Sequence, residues 1–393
     1  MGTPKDAEEA MPRSTGKIAL PTMTPGTQRS IVYYRYGKAG ARPKAYLQAA
    51  IHANELPGAM ALHYLMPMLE AAERGGRMRG EVIVVPTVNP IGLSQLAGNN
   101  HLGRYDFLGR ENFNRNWLDL SEAVAERAGR RLGRDAQRNV AMVRRAALAA
   151  LADMNPVNEL QTLRVEVMKR SIDADIVLDL HCDQEAALHL FISRADWPGP
   201  AQALAADIGS EATLYNDPFP EALTFSGVNG ALWARLAARF PEVAIPQACL
   251  SATIEYRGQH DVNHRLGASD AANLYRHLVR RGIVAGRAGA LPKLRAEATP
   301  IAGMDVGYAP KTGVVVYDVP RGARVRKGAV VCEIIDPLDP RGPKARTPVR
   351  SHTDGVLFSR RLDGRLAWPG AVLFRIAGAK PLEHRKGMSG LDD

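Results

Sequence analysis

The stretch QAAIHANELPGAM, residues 48–60, ends an apolar run with His52 and Glu55 three positions apart, just ahead of Pro57 and Gly58. On a helical turn an i, i+3 pair shares one face, with Cβ atoms about 5 to 6 Å apart, close enough for one ion to bridge both side chains. Zinc accepts imidazole nitrogen and carboxylate oxygen, and a catalytic zinc takes three protein ligands with a fourth position open to water. The third donor has to arrive from another strand end. DIVLDLHCD, residues 175–183, supplies His181 at the exit of an apolar strand, flanked by Asp179 and Asp183, either of which can orient an imidazole from behind. A lone histidine is more often a core or loop residue than a ligand; two strand-end motifs of matching type reverse that balance.

Zinc lowers the pKa of bound water to about 7, yet amide hydrolysis also needs a carboxylate to take the proton and return it to the leaving nitrogen. Glu255 in SATIEYRGQHDV follows an apolar strand, where a glutamate is costly to bury unless paired or functional. A structural ion pair with Arg257 is the competing reading; otherwise Arg257 is counted with the substrate contacts. In GRENFNRNWLD, Asn114 and Arg115 are candidates to hold a substrate carboxylate, because a guanidinium fork matches it bidentately. Arg110 is taken as the clamp or carbonyl polariser, with Arg104 as the alternative. His189, His260 and His264 lie near the motif strands, and Tyr308 is a candidate hydrogen-bond donor to substrate. Cys182 adjoins His181, but no Cys-His dyad motif supports a thiol nucleophile.

These residues need a scaffold. From Ile31 onward short apolar runs (AYLQAAI, EVIVVPTV, DIVLDLHC, ALHLFIS, ACLSATIEY) alternate with amphipathic helical patterns. That alternation predicts an α/β fold, with a parallel or mixed central sheet between helices and a ligand site at the strands' carboxyl ends. Pro57 suits a first helical turn, whereas Pro67 is expected to kink or shorten the same helix. Residues 1–28 read as a flexible lead-in, 29–295 as the catalytic domain with a helical insertion near 121–172, and 300–380 as a C-terminal β-domain. The last contains a repeat: GVVVYDVPRGARVRKGAVVCEII from Gly313 matches GVLFSRRLDGRLAWPGAVLFRIA from Gly355, pairing Gly322 with Gly364, Gly328 with Gly370, Ala329 with Ala371 and Ile334 with Ile376. One backbone shape used twice implies pseudo-symmetry. The domain resembles the lipoyl/biotinyl barrel-sandwich hybrid, although Lys344 in GPKARTP lacks the context of a carrier lysine.

With 393 residues the chain can bury roughly 75% of its unfolded surface. No apolar run reaches the ~20 residues needed to span a bilayer, and no apolar segment follows the charges of MGTPKDAEEAMPRSTG, so a cytoplasmic location and no membrane partner are expected. Three scattered cysteines fit reduced thiols. The net charge of +10 is concentrated in ERAGRRLGRDAQRNVAMVRRAALAALADM, where arginines fill the polar face of a helical pattern without aromatic interleaving; a solvated helix is favoured over nucleic-acid binding.

Taken in order, His52-Ala-Asn-Glu55, NPIG at 89–92, NFNRNW, LDLHCD and TIEYRGQ resemble the zinc carboxypeptidase clan, and within it the succinylglutamate desuccinylase/aspartoacylase family and its bacterial predicted-deacylase branch, over roughly residues 45–378. The resemblance implies an α/β/α sandwich with a mixed sheet plus the β-domain, one zinc per chain on His52, Glu55 and His181, Glu255 as general base, and Asn114 with Arg115 as carboxylate anchor. It implies a deacylase acting on a small N-acyl amino acid or related amide. A zinc carboxypeptidase acting on peptides or cell-wall fragments, and a non-catalytic binding module, are the alternatives. The usual Asp-Leu-Asn-Arg reads Asn112-Phe113-Asn114-Arg115 here, which removes an acidic partner for the first histidine and leaves Asp179 as its expected substitute. The arginine-rich insertion is open to two uses, covering the pocket or joining subunits in a homo-oligomer.

Overall fold

The computed structural model describes residues 14–216, 222–342, 345–360 and 365–385. Lys344, Gly364, the first 13 residues and part of the NDPFPEALTFSG loop lie outside them. Nine strands form the main sheet: β1 (Ser14–Ala19), β2 (Ser30–Tyr36), β3 (Lys44–Ala49), β4 (Glu81–Val85), β5 (Ile176–Asp183), β6 (His189–Ser193), β7 (Ala212–Asn216), β8 (Leu250–Gly258) and β9 (Ala298–Pro300). Their spatial order is β1-β2-β4-β3-β5-β8-β6-β7-β9. The sheet is mixed: β4, β3, β5 and β8 run parallel, while β6 is antiparallel to β8 and the β1-β2 hairpin closes one edge.

Alternation along the central strands shows why they read as continuous apolar runs. Tyr46, Ile83, Val85 and Val177 enter one core with Val124, Val143, Leu163 and Leu232. Their neighbours Ala45, Leu47, Val82, Val84, Ile176 and Leu178 enter a second core with Leu62, Leu65, Leu204 and Leu274. The first face is covered by α2 (Ser121–Ala128), α3 (Ala136–Ala152), α4 (Glu159–Ser171) and α6 (Phe225–Arg239), the second by α1 (Pro57–Arg74), α5 (Gly199–Ile208) and α7 (His264–Arg280). Both sheet faces are buried, and each fully buried aliphatic side chain contributes roughly 1.5–3 kcal/mol.

Two expectations require correction. The lead-in is structured from Ser14 onward, because β1 pairs along its whole length with β2. Helix α1 is not shortened at Pro67 but runs through it to Arg74; the proline is solvent-exposed, so the carbonyl of His63 that loses its helical donor can be hydrated. In the arginine-rich insertion, Arg127 pairs with Asp153, Arg144 with Asp175, and Arg164 with Glu111. No helix among the described residues is long and apolar enough to cross a membrane.

Beyond β9 the chain forms β10 (Met304–Tyr308), β11 (Gly313–Tyr317), β12 (Arg324–Val325), β13 (Val330–Ile335), β14 (Arg346–Arg350), β15 (Gly355–Arg360), β16 (Leu366–Ala367) and β17 (Val372–Gly378). One sheet is ordered β10-β17-β15-β12, the other β14-β13-β11-β16. Starts of corresponding strands are separated by 42 residues throughout, from Met304 and Arg346 to Val330 and Val372. Each sheet therefore takes its outer strands from one half of the repeat and its inner strands from the other. Gly328 and Gly370 both adopt φ +83°, a conformation that glycine tolerates without a Cβ clash. The structural repeat begins one strand earlier than the sequence match, at MDVGY and RTPVR, whose side chains have nothing in common.

Candidate metal and active site

Strands β3 and β5 are parallel neighbours, with Ala49 opposite Leu180, so their carboxyl ends deliver adjacent loops. Ala50 adopts φ +58° and turns the chain out of β3. The Glu55 N–H donates to the His52 carbonyl at 3.0 Å, closing the turn that puts both side chains on one face. Asn89 ties this loop down: its Nδ2 donates to the Ile51 carbonyl at 2.7 Å while its Oδ1 caps the short helix Pro90–Leu93. Gly103 supports it from the other side through its carbonyl, 2.8 Å from the Ala53 N–H, and a Cβ on Gly103 would sit 2.7 Å from that of Ala53.

His52, Glu55 and His181 are all buried, and one donor atom from each lies within 4.8 Å of the others. Glu55 sits between the imidazoles, Oε1 at 3.0 Å from His52 Nδ1 and Oε2 at 2.8 Å from His181 Nδ1. On the far side of each ring stands an acceptor. His52 Nε2 donates to Asn112 Oδ1 at 2.8 Å, and that oxygen also accepts the Asn114 N–H, which fixes the amide's orientation. His181 Nε2 donates to Asp179 Oδ2 at 2.9 Å. These acceptors hold a proton on each Nε2, so that each ring, when neutral, turns its Nδ1 lone pair toward the same point as the Glu55 carboxylate; without a cation there, the raised His181 also carries a proton on Nδ1 and donates it to Glu55. Burial opposes ionisation of Glu55, but the two imidazoles outweigh it and hold its carboxyl well below the usual range. Burial draws His52 down. It acts likewise on His181, where Asp179 and Glu55 prevail and raise the ring well above the ordinary imidazole value.

Asp179 therefore serves His181, not His52 as expected; the partner of His52 is Asn112 itself, at the position where the acid is missing. Asp179 is fully buried and is braced by Gln48, whose Nε2 donates to Oδ1 at 2.9 Å, with Tyr46 Oη donating to Gln48 Oε1. A glutamine inside AYLQAAI was the available signal for this chain of partners. Asp183, two residues on, is held instead by the C-terminal sheets, accepting from Ser359 Oγ at 2.5 Å and Arg375 Nη1 at 3.2 Å.

Glu255 lies opposite His181 in the register of β5 and β8. Its Oε2 is sealed from solvent and has no hydrogen-bond partner among the described residues. Burial raises its carboxyl to about 8, with Glu55 and Asp183 adding to the effect against the pull of His181. The Cys182 thiol is raised well above its ordinary value by burial and the same carboxylates, which removes it as a nucleophile.

These groups line one cleft of about 1230 Å3, as do Asn114, Arg115 and Arg104. Arg104 Nη1 reaches 3.3 Å from His52 Nδ1 and 3.4 Å from Glu55 Oε1. Asn114 spends its side chain on the protein, Oδ1 accepting from the Phe225 N–H and Nδ2 reaching Asp179 Oδ2 at 3.5 Å. Three sequence candidates are not brought to the cleft. Arg110 is exposed on a turn with φ +55°, and Arg104 stands at the donors in its place. Arg257 adopts φ +62°, which swings it off the face of Glu255 into an ion pair with the buried Asp270. Tyr308 is 47% exposed outside the lining; the C-terminal sheets contribute Ser359, Arg360, Trp368 and Arg375 instead. Of the further histidines, His189 and His260 line the cleft, and His264 bonds to Tyr64.

Comparison with known proteins bears on this arrangement. The family profile described as succinylglutamate desuccinylase/aspartoacylase catalytic domain matches residues 41–231. A crystal structure of a putative succinylglutamate desuccinylase/aspartoacylase family protein from Shewanella amazonensis SB2B superposes with TM-score 0.81 at 23% identity, covering 93% of this chain and 98% of that one. One from Shewanella frigidimarina NCIMB 400 gives TM-score 0.81 at 19% identity, with coverage of 94% and 98%. The product-bound ectoine utilization protein EutE (DoeB) from Ruegeria pomeroyi gives 0.63 at 18% identity, with coverage of 93% and 95%. At these identities the likeness is one of fold. A search of curated proteins gives no match. The matched segment contains the His52, Glu55 and His181 cluster, and residues 41–231 are accordingly a succinylglutamate desuccinylase/aspartoacylase catalytic domain.

Proposed function

We propose that the protein is a zinc-dependent amide hydrolase that removes the acyl group from a small N-acyl amino acid or a related amide bearing a carboxylate. The observation that carries this reading is the donor set: two Nδ1 lone pairs and one carboxylate converge, while Asn112 and Asp179 hold the Nε2 protons on the opposite sides. Three acceptors so arranged suit one divalent cation, with imidazole and carboxylate the donor types that zinc takes. His52, Glu55 and His181 would hold it; when bound, zinc supplies Lewis-acid polarisation of an acyl carbonyl and a water acidified to a pKa of about 7.

The remaining steps belong to the protein. Glu255, opposite His181, takes a proton from the attacking water at its carboxylate, the form that a cation held by His52, Glu55 and His181 would favour against the effect of burial. As the C–N bond breaks with its electron pair on nitrogen, Glu255 returns that proton to the amine. Arg104 is placed to draw electron density from the acyl oxygen, in the role first given to Arg110, and Arg115 anchors the substrate carboxylate. Asn114 acts through Asp179 by keeping the network around His181 fixed. The family name supports acylated amino acids as the substrate class. We also propose that residues 300–380 form a barrel-sandwich hybrid, supported by the exchange of repeat halves between its two sheets.

The test is elemental analysis of purified protein, with turnover of N-acetyl and N-succinyl amino acids measured beside a dipeptide panel. Near-stoichiometric zinc, deacylation, and a loss of at least ~100-fold in kcat for Glu255→Gln are expected. Turnover confined to dipeptides would replace the deacylase by a carboxypeptidase, and full activity in Glu255→Gln would remove the assigned base.

A further inference from the structure

Strand β8 lies between β5 and β6, and Glu255 is opposite His181 on one side and His189 on the other. Directly opposed residues in a sheet share a face, with Cβ atoms roughly 4.5–5.5 Å apart across an antiparallel pair. A metal-ligand candidate, the candidate base and a third titratable group thus stand in one row on the cleft side. The roles proposed above do not use His189.

Its ring is fixed. His189 Nδ1 lies 2.9 Å from the Ala187 carbonyl, which only accepts, so Nδ1 carries the proton. Phe358 of the C-terminal sheets packs on the ring at 4.7 Å between centroids and Phe191 meets it edge-on at 5.4 Å. Burial lowers the imidazole to about 4 against the pull of Asp183, so the ring is neutral at pH 7. A neutral imidazole with Nδ1–H offers Nε2 as an acceptor only. No described residue hydrogen-bonds to that nitrogen, and the side chain lines the cleft. The carboxylate nearest in charge, Asp183, is already held by Ser359 and Arg375.

An acceptor-only nitrogen beside the candidate base needs a donor from the ligand. We infer that His189 accepts a hydrogen bond from the N–H of the scissile amide, fixing the amide plane relative to Glu255 and making the site selective for secondary amides over esters and N-methyl amides. This rests on the hydrolase reading above. In that geometry the proton delivered by Glu255 meets the nitrogen as its bond to carbon breaks, while the N–H remains on His189. His189 is a positioning residue and takes no proton.

The experiment uses the N-acyl amino acid turned over in the panel, its O-acyl hydroxy acid counterpart and its N-methyl amide, with wild-type protein, His189→Leu and His189→Gln. Wild-type kcat/KM for the secondary amide should exceed that for the N-methyl amide by about 10- to 100-fold, the range for losing one buried hydrogen bond. His189→Leu should lower amide turnover by a similar factor and leave the ester within about 3-fold, closing the gap. His189→Gln, which keeps a side-chain acceptor, should recover most of the amide rate. Equal losses on amide and ester in the leucine variant, or no wild-type preference over the N-methyl amide, would overturn the inference while leaving the hydrolase reading intact. A wild-type protein that turns over no N-acyl amino acid in the panel overturns both.

Discussion

The two imidazoles are backed by different acceptors, and that asymmetry gives opposed predictions. His181 Nε2 donates to a fully buried carboxylate, Asp179, at 2.9 Å; His52 Nε2 donates to a carboxamide, Asn112, at 2.8 Å. A hydrogen bond to a charged acceptor is about twice as strong as a neutral one, whose net worth is ~0.5–1.5 kcal/mol, so exchanging carboxylate for carboxamide changes the bond by roughly 1 kcal/mol. At position 179 there is a second cost. Asp179 accepts from His181 on one oxygen and Gln48 on the other, so an asparagine must turn its NH2 against one of those donors. Asp179→Asn should therefore weaken zinc binding by about 10- to 100-fold, whereas Asn112→Asp should tighten it by about 10-fold. Competitive zinc titration against a chelator at fixed pH reads both, with circular dichroism to verify folding. Two unchanged affinities, or two shifts of the same sign, would refute the claim that these residues tune the metal through the rings.

Other consequences follow from the cleft and from a buried carboxyl away from it. Arg257→Met should cost stability, up to about 3–5 kcal/mol less whatever protonation of the buried Asp270 relieves, with kcat/KM within about 2-fold of wild type; Arg104→Ala should do the reverse, lowering kcat and kcat/KM with little change in Tm. Asp196, 1% exposed and raised by burial to about 7 from an ordinary 3.8, keeps its proton in the folded state over a pH range where the unfolded chain has lost it. Stability from this group is therefore present below about 3.8 and lost as pH rises through about 7, and Asp196→Asn should raise Tm more at pH 8 than at pH 5 in paired thermal scans.

The parts of this site that were legible in the sequence are those carried by short stretches of chain. His52 and Glu55 share a turn, and the apolar run ending in His181 announces a buried strand whose exit meets the carboxyl end of β3. Charged residues on turns were misjudged for a reason of backbone geometry. Arg110 and Arg257 both adopt positive φ, which redirects the side chain from the face its sequence spacing implies. Asn112 was legible only as a departure from a pattern. Its role depends on a 2.8 Å contact across 60 positions, which no local periodicity encodes.

Least legible was the contribution of the C-terminal sheets. Their repeat announces a symmetric β-structure, but the surface that meets the catalytic sheet breaks that symmetry. Glu185–Ala186 adds to the edge of β15 two residues after Asp183, and Asp183 is held by Ser359 and Arg375 while Glu185 pairs with Arg360 and Arg365. The strand that presents His181 is therefore clamped at its exit by side chains about 175 to 190 positions downstream. The same surface supplies Phe358, which fixes the His189 ring. Free rotation at either point would spread the donor atoms over several rotamers, each further rotamer raising the entropic cost of a productive arrangement. Under the proposed hydrolase reading, the C-terminal sheets thus act by removing alternatives at residues of the nine-stranded sheet, and cutting the chain before Met304 should disorder the exit of β5 while leaving the turn of His52 and Glu55 in place.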